Sequence, residues 1–278
     1  MEIIIPEKHK QAIHPVAIFR EGWSICWKNL EKLGAIYLIF NLPIMVVYLT
    51  PMASKLQKEK VNLATFLCFF LPILIVSIWG HIALLLGAKK AADLEDYTIG
   101  QSISQTKVFF LKYLGAVLVA TLFFMGVMML GGLSAVIILA LLIKVNKILA
   151  LLICIALATA ALAYFIYFML RWSLATTVCV LENIRPITAL RRSLSLVTDH
   201  VHPVVGTYLL IILTYVVCLL PFIIIGSFLG IGNDNIQANR AGTIYSIFIN
   251  ILLVPLWASV TVVLYKKLKE ALGDHVHA

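Results

Sequence analysis

Apolar residues along this chain gather into six runs, 34–53, 61–88, 113–143, 148–181, 203–231 and 243–265, with only short polar text between them. A bilayer core of roughly 30 Å needs about 20 apolar residues of helix, so each run is long enough to cross. The pattern predicts an all-α polytopic helical membrane protein. It has six transmembrane helices and one membrane domain over residues 1–278. The linkers on one side, 54–60, 144–147 and 232–242, are too short to fold independently. The segments on the other side carry helical periodicity.

In 16–33, Phe19, Trp23, Cys26, Trp27, Leu30 and Leu33 recur at steps of three and four, with Arg20, Glu21, Ser24, Lys28, Glu31 and Lys32 largely opposite. Such a stripe fits a helix lying in the headgroup plane with its tryptophans at interface depth, or a cap leading into the first span. Residues 187–201 repeat the pattern through Ile187, Leu190, Leu194, Val197 and Val201, and 99–112 repeat it more weakly. Each of these amphipathic segments runs into similar text: KLGAIYLI at 32–39, YLGAVLV at 113–119 and VVGTYLL at 204–210. The chain therefore reads as three copies of one unit, an interfacial helix followed by two spans.

Two runs exceed a bilayer. Residues 113–143 would make about 46 Å of helix and 148–181 about 51 Å. Gly131 and Gly132 are expected to break the third run, leaving 133–143 along the outer leaflet. Pro43, Pro72, Pro221 and Pro255 interrupt four spans, and Gly226 and Gly230 form a small-xxx-small pair suited to close helix contact.

Charge then orients the chain. Of the 22 Lys and Arg residues, 16 fall in the arm 1–33, the loop 89–112, the region 171–202 and the tail 266–278, and six fall in the alternate loops. Retained positive charge marks the cytoplasmic side, so both termini are expected inside. The mean hydropathy of +1.01 and 62% hydrophobic residues place the net charge of +9 against anionic lipid headgroups rather than nucleic acid. No cleavable leader is read in the first 33 residues, so the first span is the expected insertion signal. The cysteines Cys26, Cys68, Cys154, Cys179 and Cys218 form no C-x-x-C pair and read as small packing residues.

Chemistry-bearing motifs are sparse. There is no G-x-x-x-x-G-K-S/T, H-E-x-x-H or G-x-S-x-G, and no carboxylate pair at membrane depth, so no enzymatic activity is expected. GIGNDN at 230–235 reads as a turn. DHVH occurs at 199–202 and at 274–277, but alternate residues do not share a helix face, so no metal and no cofactor is expected. Ionisable and polar groups at membrane depth are the remaining candidates: Arg171, His81, Asn41 and Asn250. If the fourth crossing ends near 170, Arg171 and Trp172 are an interfacial anchor pair. If it runs to 181, Arg171 lies inside it. His81 reads as a bonded core histidine or a proton relay, and the two asparagines as interhelical glue.

Residues 171–210, RWSLATTVCVLENIRPITALRRSLSLVTDHVHPVVGTYLL, carry an apolar helix ending in Glu182, a short turn, and Ala189, Leu190, Arg192 and Ser193 opening an amphipathic helix. This resembles the membrane-domain family of bacterial glycerophosphoryl diester phosphodiesterases and its largely uncharacterised six-span relatives. The family's glycine-containing turn is replaced here by Asn183, Ile184, Arg185 and Pro186. The phosphodiesterase chemistry of that family resides in a separate soluble barrel that this sequence lacks. The resemblance implies a bacterial inner-membrane module without hydrolytic activity. Glu182, Arg185, Arg191, Arg192 and Ser193 then form either a structural staple or, through the spare cations, a seat for a lipid phosphate. The expected function is a non-enzymatic, lipid-associated or scaffolding protein linked to phospholipid metabolism. Its partners would be anionic membrane lipids and protein partners or further copies of itself. A small-solute transporter or channel is the alternative.

Overall fold

The computed structural model describes residues 13–49, 71–142, 147–228 and 236–273. Among them the chain is all-helical, with no strand: α1 (Pro15–Lys28), α2 (Leu30–Leu49), α3 (Leu71–Ala92), α4 (Ile99–Leu142), α5 (Lys147–Trp172), α6 (Ala175–Leu181), α7 (Pro186–Thr198), α8 (Val201–Phe228) and α9 (Ile236–Ala271). Five stretches are long and apolar enough to cross a membrane, namely Leu71–Ala92, Ile99–Ile137, Lys147–Leu181, Val201–Pro221 and Ile244–Ala271, which fits a multi-pass membrane protein. The first expected span, 34–53, coincides with α2 as far as Leu49, and its remainder lies outside the described residues. So do most of the first half of the second span, GIGNDN, Cys68, Gly230 and the second DHVH.

The helices divide between two compact units, residues 1–111 with 202–278, and residues 112–201. In the first unit α2, α3 and α9 pack on one another around Leu33, Ile36, Ile82, Leu84, Leu85, Leu256, Leu264 and Leu268. Helix α1 packs chiefly on α9. The approach is close because Gly22 stands where a Cβ would meet Val260 Cα at 2.7 Å. Gly80 of α3 likewise admits Phe40 of α2, whose Cβ would lie 2.7 Å from an added Cβ. Lys266 pairs with Asp93, and Lys267 lies 3.6 Å from Glu21. The Lys32 ammonium sits 4.9 Å from the centroid of the Tyr97 ring. The arm, the 89–112 loop and the tail, read from charge as lying on one side, are thus gathered at one end of this unit.

Some helix boundaries depart from expectation. Residues 99–112 are not a separate surface helix, because α4 runs unbroken through them for 44 residues. Gly131 and Gly132 do not break the third run. A glycine costs a helix about 1 kcal/mol, whereas freeing backbone groups in hydrocarbon costs several, so the ladder continues to Leu142. The fourth run is interrupted at Ser173 and Leu174, next to the earlier of its two expected ends and without a glycine or proline there. Pro43, Pro221 and Pro255 lie inside α2, α8 and α9 without ending them, and Pro72 opens the described part of α3.

The α1 stripe is also divided. Ile18, Gly22 and Cys26 are buried, while Trp23 and Trp27 are exposed and stacked at 6.3 Å between centroids with an interplanar angle of 5°. In α7 the buried row is Ala189, Leu190, Ser193, Leu196 and Val197, and Ile187, a member of the apolar stripe, is 58% exposed. An apolar row in a membrane protein need not face protein, since lipid accepts it equally.

Candidate functional site

The second unit contains the Glu182–Ser193 motif. Helix α5 stops at Trp172 because Ser173 turns back on it: its hydroxyl donates to the Leu170 carbonyl at 2.7 Å, competing with the helical ladder. The break leaves carbonyls of the last turn without helical donors. The Ser193 hydroxyl, fully buried in α7, donates to the Arg171 carbonyl at 2.7 Å and so ties α7 onto the broken end. A buried amide oxygen that finds no such donor costs about 1–3 kcal/mol.

Arg171 itself lies in the last turn of α5, where a cation offsets the helix dipole, and its guanidinium stacks 4.2 Å from the Tyr167 ring centroid. Its Nε is buried with no hydrogen-bond partner among the described residues. Trp172 beside it meets Phe123 at 4.7 Å and Phe168 at 5.5 Å, within a ladder of rings between α4 and α5. Arg171 therefore closes a helix and does not interrupt one.

Glu182 ends α6 and approaches the Arg192 Nε at 3.7 Å. The turn that follows needs a left-handed residue, and Asn183 supplies it at φ 54. Asparagine is the side chain that best replaces glycine there, because its amide bonds locally. The Asn183 carbonyl and side-chain oxygen both accept from the Lys112 ammonium, at 3.0 and 2.7 Å. Cys179 is buried beneath the same turn, its thiol directed at the Ile184 carbonyl at 3.5 Å. Arg185 caps α7 with extended backbone, and Pro186 follows as its first residue, its ring placed 2.8 Å from where a Gly115 Cβ would stand.

The structure thus brings Glu182, Arg192, Ser193 and the Arg171 backbone together, while Arg185 and Arg191 remain exposed. Lys112 was not marked by the sequence. Its partner is 71 residues distant, and no local pattern announces it.

The other candidates belong to the first unit. The Asn41 amide donates to the Tyr37 carbonyl at 2.9 Å within α2. Asn250 accepts the Tyr215 hydroxyl at 2.9 Å and donates to Ser246 at 3.2 Å, joining α8 to α9. His81 follows Gly80 in α3, is half-buried and has a partner. Among the described residues no group of three His, Cys, Asp or Glu side chains is placed to hold a metal ion. Comparison with known proteins finds no matching family model, no matching curated protein and no matching solved structure.

Proposed function

We propose that this chain is a non-enzymatic, multi-pass protein of the bacterial inner membrane. It crosses six times with both termini cytoplasmic, and it holds anionic phospholipids as a lipid-associated or scaffolding module. The reading draws on the likeness of residues 171–210 to the membrane domain of glycerophosphoryl diester phosphodiesterases, and on the basic segments that alternate with the spans. One observation carries it furthest. Glu182 engages Arg192, which leaves Arg185 and Arg191 exposed on α7 with no ion pair among the described residues. Cations at a membrane surface are each worth about 1 kcal/mol toward anionic lipid. Glu182, Arg192 and Ser193 then hold the helix in place, and Arg185 and Arg191 meet the headgroups.

Mass spectrometry of lipids retained through purification in a mild detergent tests this. Anionic lipids enriched over their bulk proportion are expected, with the enrichment reduced in Arg185→Gln/Arg191→Gln. Bulk proportions in the wild type would remove the basis of the reading.

A further inference from the structure

Helices α1 and α7 are two copies of one element. Pro15-Val16-Ala17-Ile18-Phe19-Arg20 and Pro186-Ile187-Thr188-Ala189-Leu190-Arg191 share the opening proline, a β-branched residue after it and an arginine five places on. Burial carries the equivalence further. Ile18, Gly22 and Cys26 are buried in the first helix, and Ala189, Ser193 and Val197, at the same offsets, in the second. Each opening proline also rests against the glycine of a repeated hairpin segment. The Pro15 ring lies 2.6 Å from where a Gly206 Cβ would stand, and Pro186 meets Gly115 in the same way. In this register Arg20 corresponds to Arg191, and both are exposed.

Around α1 three rows follow one another, each offset by one residue. Ile18, Gly22 and Cys26 face the protein. Phe19, Trp23 and Trp27 form an outward ridge, with Trp27 60% exposed. Arg20, Ser24 and Lys28 make the third row. Tryptophan settles where headgroups meet hydrocarbon, so the ridge sets the third row at headgroup level. Beside that row lies a groove of about 700 Å³ lined by Arg20, Ser24 and Lys28 on one wall and by Ala91, Ala92 and Leu94 on the other. His14 and Glu21 also border it. The Glu21 carboxylate is engaged by Lys267, whereas Arg20 and Lys28 form no ion pair among the described residues. Glu95 and Asp96 follow Leu94 but do not line the groove. Its two unmatched cations and its apolar far wall complement a molecule with a phosphate at one end and a chain at the other.

We propose that this groove seats the headgroup of one anionic phospholipid, its phosphate held between Arg20 and Lys28 with the Ser24 hydroxyl as an added donor. The site rests on the reading of the chain as a holder of anionic lipid, and gives that reading a second, separate location.

Native mass spectrometry of the full chain, titrated with phosphatidylglycerol and with phosphatidylcholine, tests it. Arg20→Gln/Lys28→Gln is expected to weaken one phosphatidylglycerol site by roughly thirty-fold, two cations each contributing their usual surface share, and to leave phosphatidylcholine unchanged. Ala17→Trp, which fills the groove and keeps both charges, is expected to abolish the same site. Wild-type phosphatidylglycerol binding in both variants overturns the proposal. If Arg185→Gln/Arg191→Gln alone then loses lipid, the wider reading survives without this groove. If the wild type shows no preference for phosphatidylglycerol, both fall. Inorganic phosphate or an acidic peptide that displaces the lipid at equal concentration overturns the lipid as occupant.

Discussion

Ser193 offers the sharpest test of how the second unit is held together. Replacing it with alanine removes one oxygen from a fully buried position and leaves the Arg171 carbonyl, 2.7 Å away, without that donor. Orphaning a buried carbonyl costs about 1–3 kcal/mol. Alanine returns roughly 0.5 kcal/mol through its better helix propensity. The expected net loss is therefore about 0.5–2.5 kcal/mol. Ser195→Ala supplies the control. That side chain is exposed and donates to the Arg192 carbonyl of its own helix at 2.8 Å, so its loss should be neutral or mildly stabilising. Reversible unfolding in mixed micelles gives both numbers. Amide exchange along α7 then shows whether the loss is local, because a helix released from the α5 end exchanges sooner than the rest. If Ser193→Ala unfolds at the same point as Ser195→Ala, with α7 protected as before, the bond holds nothing and the break in the fourth run needs another explanation.

Gly22→Ala should cost about 1–3 kcal/mol or more, since its new methyl would press on the Val260 backbone as well as on that residue's Cγ2; thermal unfolding in detergent reads this directly. Asn183→Ala should destabilise by about 1–2 kcal/mol through the left-handed backbone alone; Asn183→Gly should cost less, since it loses only the side-chain contact with Lys112, and the difference between the two variants reports the backbone. Burial raises the Cys26 thiol to about 11, and burial with Cys26 alongside raises the Tyr97 hydroxyl to about 12. Both groups are neutral when protonated, and the unfolded chain releases these protons first. Stability from them is thus complete below pH 9, the ordinary thiol value, and is lost as pH climbs toward 11 and 12. Unfolding midpoints measured from pH 7 upward should fall less steeply in Cys26→Ala than in the wild type.

Much of this architecture could be read from hydropathy because lipid imposes a simple rule: a run of apolar residues becomes a helix, whatever its neighbours. Lys89 and Lys90 end α3 near where the charge pattern put the boundary, and α8 begins within two residues of its expected start. Interruptions were harder. Gly131 and Gly132 carry a breaking signal in water that hydrocarbon overrides, while Ser173 breaks a helix by a bond to Leu170 that competes with the ladder. Periodicity also does not distinguish a row buried in protein from one turned to lipid. That is why Trp23 and Trp27 were grouped with Cys26, although they face away from it. At the motif, the nearness of Glu182, Arg192 and Ser193 along the chain was legible. Their division of labour was not, because the carbonyl that Ser193 holds belongs to the backbone of Arg171, and backbone atoms leave no mark in sequence.

The seat of α1 has a consequence for biosynthesis. Its principal surface, around Val260, leaves the ribosome more than two hundred residues after Gly22. At roughly 5–20 residues per second, the first helix waits on the order of ten to fifty seconds for its partner. During that interval the row of α1 that Val260 will cover, around Gly22, has no α9 to meet. Helix α1 is thus made long before it can dock, and a product truncated before α9 would leave it undocked, a visible mark of an unfinished chain.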